Sequence, residues 1–478
     1  MPQLELSPEE FRSLTDRVGN LAVNFLAGLD GRRTVSPTSA SSTAAAFDLP
    51  LPEEGIGEAI IDDLEQISEH LRAPTGRRLP YVVGSGEPIG ALGDFYASVV
   101  NQNVTAWRSA PSAVAIERTV IRWLASAVGC EGFDGLFTSG GSLANLMALA
   151  MARESRAPAN ADGAQPCVVY ASDEIHMSIP KALALLGIGR SSLRQVPVDE
   201  HLRIDVDALE TAIESDAHAG RRGIAVVASA GTVMTGAIDP LAQVADIARS
   251  HDLWLHVDGA YGGFAALAEP AKFDGLARAD SISLDAHKWL YQPLDCSILL
   301  YRDAEWARRA FSYTAEYVNT ASEDPIESFA FFDHTIELSR RFRALKVWLS
   351  LRYHGLAAFR EAIAGNLCQA RLLAQLIDSQ PTLELLAPVE LSAVCFRWIG
   401  PDSAALSERN EQILQRVNQR GRVWLSNANV RGAVGLRACI TNHRTTDDDL
   451  RAVIEEVLAA AEETAADTPA HNGHRLTR

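Results

Sequence analysis

The sequence predicts an α/β fold, a largely parallel sheet with helices on both faces. Three observations carry that expectation. From about residue 115, short apolar runs alternate with amphipathic helical segments. The runs are continuously apolar, as suits strands buried on both faces. The polar residues able to do chemistry fall just past the ends of those runs, where ligands sit in such sheets.

In chain order, Ser7, Pro8 and Glu10 read as a helix start: a hydroxyl cap, a proline in the first turn and a carboxylate that caps back. Phe11, Leu14, Val18, Leu21 and Phe25 then share one face, which must pack on a body or on a partner subunit. Residues 34–47, rich in Ser, Thr and Ala, read as a linker, so residues 1–75 form an arm rather than a self-sufficient domain. Residues 116–128 and 142–153 are helical. Strands are expected at 135–138, 167–171, 193–196, 224–228, 253–257, 281–284 and 297–301. From about residue 340 the chain is helical through Ala374, then strand-like at 392–398 and 434–440, with a last helix at 447–462. These pieces make a smaller C-terminal α+β domain. Residues 463–478 are polar and without period, the expectation for a disordered tail.

With 478 residues and a hydrophobic fraction of 47%, the chain can bury two or three domains. Its formal charge of -18 argues against nucleic acid or an anionic membrane as partner and favours a small-molecule substrate. The polar, acidic start does not read as a signal peptide, and no apolar run reaches the roughly 18 to 20 residues of a membrane span. Cys130, Cys167, Cys296, Cys368, Cys395 and Cys439 lie far apart without metal-ligand spacing. They read as reduced core residues of a cytoplasmic protein with no metal site.

Four features recur past strand ends. The first is Thr138-Ser139-Gly140-Gly141-Ser142, ahead of the helix containing Asn145. Glycines let backbone N–H groups approach an anion, and the helix start adds its positive dipole end; alone, the loop also suits a tight serine-capped turn. The second is His176, in Ser172-Asp173-Glu174-Ile175-His176, either a ring that stacks on a planar ligand or a satisfied structural histidine. The third is His256-Val257-Asp258-Gly259-Ala260-Tyr261. A buried aspartate is costly without a cation, such as a protonated pyridine nitrogen, and Gly259 and Ala260 leave room for a flat ring; capping of the next turn is the plainer alternative. The fourth is Ser283-Leu284-Asp285-Ala286-His287-Lys288-Trp289, whose lysine is either a desolvated, imine-forming amine or a surface residue with a snorkelling stem.

With these residues the sequence resembles the pyridoxal-phosphate-dependent group II amino acid decarboxylases, which include the aromatic-L-amino-acid, glutamate and histidine decarboxylases. The resemblance runs from about Leu79 to Ile440 and is most specific at His287-Lys288-Trp289. It implies a fold-type-I enzyme with a mostly parallel seven-stranded sheet. The implied domains are a helical dimerisation arm at 1–75, a large cofactor-binding domain at 76–350 and a small domain at 351–462. It implies further that Lys288 holds pyridoxal phosphate as a Schiff base, Asp258 pairs with the pyridine nitrogen, Ala260 lies against the ring and His176 stacks above it. Gly140, Gly141, Ser142 and His287 correspond to the phosphate surroundings, and Asp285 and Thr232 to further cofactor contacts. Arg437 resembles the arginine near the substrate carboxylate. The segment Asn101-Gln102-Asn103-Val104-Thr105-Ala106-Trp107 corresponds to pocket lining, which makes Asn103 and Thr105 candidate substrate contacts.

Two departures stand out. Gly140 and Gly141 stand where animal aromatic decarboxylases carry Ser and Ala, which shifts phosphate binding toward backbone donors, and the segment 101–107 is more polar than an aromatic side chain prefers. Tyr317, in Thr314-Ala315-Glu316-Tyr317-Val318-Asn319, resembles the loop tyrosine that delivers a proton after carbon dioxide leaves; aldehyde-forming members carry phenylalanine at the matching position. The implied reaction is decarboxylation of an L-amino acid, by family an aromatic one, in a homodimer with the site at the subunit interface. Rivals stay open: an oxygen-consuming aldehyde synthase, a decarboxylase of polar or acidic amino acids, an aminotransferase, and a silent scaffold. Intact Lys288, Asp258 and His176 argue against the last.

Overall fold

The computed structural model describes residues 4–313, 324–400 and 405–466. Seven strands form the central sheet: β1 (Asp134–Thr138), β2 (Val168–Ser172), β3 (Leu193–Val196), β4 (Gly223–Ser229), β5 (Trp254–Asp258), β6 (Ser281–Asp285) and β7 (Ser297–Tyr301). Their order is β1-β7-β6-β5-β4-β2-β3, and β7 alone runs antiparallel to its neighbours. Every residue of β2, β5, β6 and β7 is buried, which is why these segments are apolar without alternation. Each expected strand is present, its ends within one residue of the sequence reading.

The helix Gly141–Arg156 crosses the middle of this sheet, in contact with β4, β5, β6 and β7. Ala144, Ala148 and Ala152 recur every four residues on its wholly buried side, and such small side chains let the helix axis lie close to the strands. The helix after residue 340 is Ala344–Asp378, broken at Gly355, whose φ of 79° only glycine adopts without strain. Arg340, expected within that helix, precedes it. The second half leads into an antiparallel sheet of β8 (Leu383–Leu385), β9 (Ala393–Trp398), β10 (Ser426–Val430) and β11 (Ala433–Cys439), ordered β10-β11-β9-β8. A second hydrophobic cluster, including Leu373, Phe396, Ile413, Leu436 and Val453, lies under this sheet, and Leu79 joins it from far upstream.

Three expectations need correction. Residues 40–47 of the supposed linker form a helix, Ala40–Phe47, because Ser39 caps an alanine-rich run. The last helix continues to Ala466, past the expected end at 462, and the rest of the expected tail, 467–478, lies outside the described residues. Cys368 is exposed, whereas the other five cysteines are buried; all six are free thiols. The N-terminal helix Pro8–Ala27 has the capping box expected of Ser7 and Glu10, yet none of its residues is buried. Among the described residues, no helix is long and apolar enough to cross a membrane.

Candidate active site

The ends of β1, β2, β4, β5 and β6 surround one cavity of about 280 Å³. β6 ends at Asp285, and the turn that follows returns the Lys288 N–H to the Asp285 carbonyl at 3.0 Å. That turn swings the lysine side chain back over the strand end, so Lys288 Nζ lies 2.9 Å from Asp285 Oδ2. Trp289 beneath it is wholly buried. From behind, Gly84 donates its N–H to the His287 carbonyl at 2.8 Å; a Cβ there would come within 2.5 Å of the Lys288 carbonyl, so only glycine fits.

Burial alone would raise the Asp285 carboxyl, but Lys288, His287 and the Ser297 hydroxyl together hold it below the ordinary carboxylate value. It therefore stays an anion beside the amine. His287 Nδ1 faces the Cys296 carbonyl at 3.0 Å, and desolvation lowers its imidazole against the upward pull of Asp285.

Asp258, at the end of β5, is 7% exposed. Its Oδ1 accepts from Ser283 Oγ at 3.0 Å and the Ala260 N–H at 3.1 Å, and its Oδ2 from Asn145 Nδ2 at 2.8 Å. All three donors are neutral, and among the described residues no cationic side chain pairs with this carboxylate. A buried carboxylate so placed fits a cationic ring N–H.

The loop at the end of β1 forms the next wall. Gly141 opens the long helix, and a Cβ on it would press on Ala260 Cβ and Asp285 Oδ1 at 3.0 Å. Gly140 meets nothing and is extended, so of the two glycines only Gly141 is demanded by packing. With Ser139, Ser142 and the helix start, it offers an anion site. Thr232 lines the opposite side, its Oγ1 accepting the Ala237 N–H at 3.2 Å, after Gly231 at φ +109°. His176 is half-buried with Nδ1 2.7 Å from Ser178 Oγ; desolvation lowers its pKa, Asp258 opposes this and Lys288 adds to it, so the ring is neutral at neutral pH.

All ten candidate cofactor contacts thus line one cavity. The three substrate candidates do not. Asn103 accepts the Arg340 N–H at 2.9 Å and lines a separate polar cavity of about 460 Å³ with Asp94 and Arg341, and the Thr105 carbonyl accepts the Phe331 N–H at 2.8 Å. Arg437 is buried on β11 beside the first cavity, donating to Val233 O at 2.7 Å and Ser426 Oγ at 3.1 Å. Tyr317 lies outside the described residues. Sequence reasoning missed Asn145, Ser178 and Ser283. An asparagine inside the apolar run Leu143-Ala144-Asn145-Leu146-Met147 was the available signal.

A lysine at the end of a parallel sheet strand, a buried carboxylate facing the same cavity and a glycine-lined helix start define a pyridoxal-phosphate enzyme of the fold-type-I class. The chain belongs to the pyridoxal-dependent decarboxylase family: residues 58–399 match its conserved domain. The chain is 35% identical to an aromatic-L-amino-acid decarboxylase of Bacillus atrophaeus, over 98% of both chains. It is 28% identical to a phenylacetaldehyde synthase of Petunia hybrida, over 91% of each. Its fold superposes on the structure of Oryza sativa TDC with PLP and tryptamine with a TM-score of 0.90 at 25% identity, covering 97% of this chain and 99% of that one. The protein is a pyridoxal-phosphate-dependent carboxy-lyase of amino acids.

Proposed function

We propose that the protein decarboxylates an L-amino acid with an aromatic side chain to the amine, using Lys288, Asp258, His176 and Tyr317. The observation that carries this reading is the placement of Lys288 Nζ and the cation-free Asp258 carboxylate on one cavity that also holds the Gly141 helix start. When bound, pyridoxal phosphate supplies an electron sink for the bond to the departing carboxylate. Lys288 would hold its aldehyde, with Asp285 orienting the amine. Asp258 would pair with its ring nitrogen, and Ala260, His176 and Thr232 would hold its ring. Gly140, Gly141, Ser142 and His287 would hold its phosphate. Arg437, whose contacts among the described residues are all to neutral groups, keeps its charge for the substrate carboxylate. Tyr317 delivers the proton to the α carbon.

The protein works as a cytoplasmic homodimer with its site at the subunit interface, divided into the arm, large domain and small domain of residues 1–75, 76–350 and 351–462. Two observations support the dimer. Asn103 and Thr105 stand away from their own chain's Lys288 cavity, which suits residues serving a second copy's site. The exposed Leu92, Phe95, Tyr96 and Val99 on the helix Pro88–Val100 form an apolar face of the kind a subunit covers.

The relative from Petunia hybrida favours one second reading, oxygen-dependent formation of an aldehyde. Tyr317, rather than phenylalanine, supports the amine. Carbon dioxide release and product identity, measured across aromatic, acidic and polar amino acids with and without oxygen, test both. Amine from aromatic substrates is expected. Release confined to acidic substrates, or aldehyde from the unmodified protein, would contradict the proposal.

A further inference from the structure

Asn145 stands at the branch of a buried hydrogen-bond network that reaches both Asp258 and His176. Its helix brings it down among Ala144 and Ala148, and it is 1% exposed. Nδ2 donates to Asp258 Oδ2 at 2.8 Å and to Ser178 Oγ at 2.9 Å, while Oδ1 faces His256 Nε2 at 2.9 Å. A carboxylate only accepts, so the amide nitrogen faces Asp258 and the amide oxygen faces His256. His256 Nε2 therefore carries a proton.

The rest of the chain of donors follows. Burial pushes the His256 imidazole down to about 4 against the pull of Asp258, so at neutral pH it holds that one proton. Its Nδ1 then accepts from Ser281 Oγ at 2.9 Å, since the Ser281 carbonyl 3.2 Å away has no proton to donate. Ser281 Oγ accepts in turn from Trp254 Nε1 at 2.9 Å. Every donor points toward Asp258, and such chains polarise cooperatively in a low-dielectric interior. On the other branch, the hydroxyl and backbone N–H of Ser178 lie 2.7 and 3.2 Å from His176 Nδ1. That nitrogen is the acceptor, which leaves the His176 proton on Nε2.

We propose that Asn145, backed by His256, is a positioning residue that aims Asp258 at the cofactor's ring nitrogen and, through Ser178, fixes the tautomer of His176 on the ring face. This inference rests on the reading of Asp258 given above.

The test compares two ligands. Cofactor is removed from the full-length protein, and pyridoxal phosphate or its deaza analogue, in which carbon replaces the ring nitrogen, is titrated back while the dissociation constant is read from visible absorbance. Wild type should prefer pyridoxal phosphate. Asn145→Leu should weaken pyridoxal phosphate about tenfold or more and leave the analogue within about twofold, because the lost bond acts only through the nitrogen partner. His256→Leu should give the same selective loss in smaller measure. His256→Gln, which keeps an N–H where Nε2 stands, should restore the wild-type values. Equal losses for both ligands, or no loss, overturn the proposal. If Asn145→Leu does not fold, the two His256 variants decide it alone. If wild type itself binds the two ligands equally, the role of Asp258 fails and the inference with it. If wild type discriminates and the variants do so equally, only Asn145 and His256 are misassigned.

Discussion

Lys288 Nζ and Asp285 Oδ2 lie 2.9 Å apart across a single turn, and the other oxygen of that carboxylate takes the Ser297 hydroxyl at 2.5 Å. The carboxylate's lowered pKa means that the pair is fully present above the ordinary carboxyl range and is lost only as pH falls through the lowered value. Asp285→Asn keeps the shape and removes the charge. Its cofactor should dissociate about tenfold more readily, followed as loss of visible absorbance on dilution. Retention equal to wild type would show that the carboxylate does not orient the amine.

Glu117 and Arg340 form an ion pair with both side chains 0% exposed, and the two also bond the N–H and carbonyl of Phe137 on β1. Removing one partner strands the other charge in the core. Arg340→Met should cost about 3 to 5 kcal/mol in denaturant unfolding, and adding Glu117→Gln should recover part of it. A single variant as stable as wild type would contradict the clamp.

His443, exposed at the residue level, sets its ring nitrogen Nδ1 2.8 Å from Ser85 Oγ, and partial desolvation of the ring pushes its imidazole from 6.5 down to about 4. The unfolded chain then binds the proton first. Stability from this group is complete above about pH 6.5 and declines as pH falls toward 4. Denaturant midpoints taken from pH 7 to pH 4 should fall less steeply for His443→Gln than for wild type. Parallel slopes would remove His443 from the acid response.

Tyr317→Phe keeps the ring and removes the proton. If Tyr317 is the donor, the variant under air should divert product from amine toward aldehyde, ammonia and peroxide, resolved by chromatography beside an oxygen-free control. An unchanged rate of amine formation would show that the proton comes from elsewhere.

Much of this was legible because period and position survive in one dimension. Strands such as Ser297–Tyr301 are buried on both faces, so their apolar runs mark them unambiguously. The ligand-facing residues follow strand ends, which placed Gly141, His176, Asp258 and Lys288 together before any coordinates. β10, by contrast, reads Ser-Asn-Ala-Asn-Val; it is an edge strand whose asparagines face outward, so it carries little apolar signal. Leu383–Leu385 was too short to register. The role of Asn145 was hidden for a different reason: its partners Asp258, Ser178 and His256 are distant in sequence and meet it only through the packing of a helix on the sheet. The separation of Asn103 from the Lys288 cavity is likewise a property of three dimensions.

The central claim is that Lys288 binds the cofactor covalently. The measurement is borohydride reduction of the purified holoenzyme followed by peptide mass spectrometry, with Lys288→Ala treated in parallel. The account predicts a reduced phosphopyridoxyl group on Lys288 in wild type, and in the variant neither that group nor the visible absorbance it quenches. A phosphopyridoxyl group on another lysine in wild type, or a reducible chromophore still attached to the Lys288→Ala protein, would contradict it.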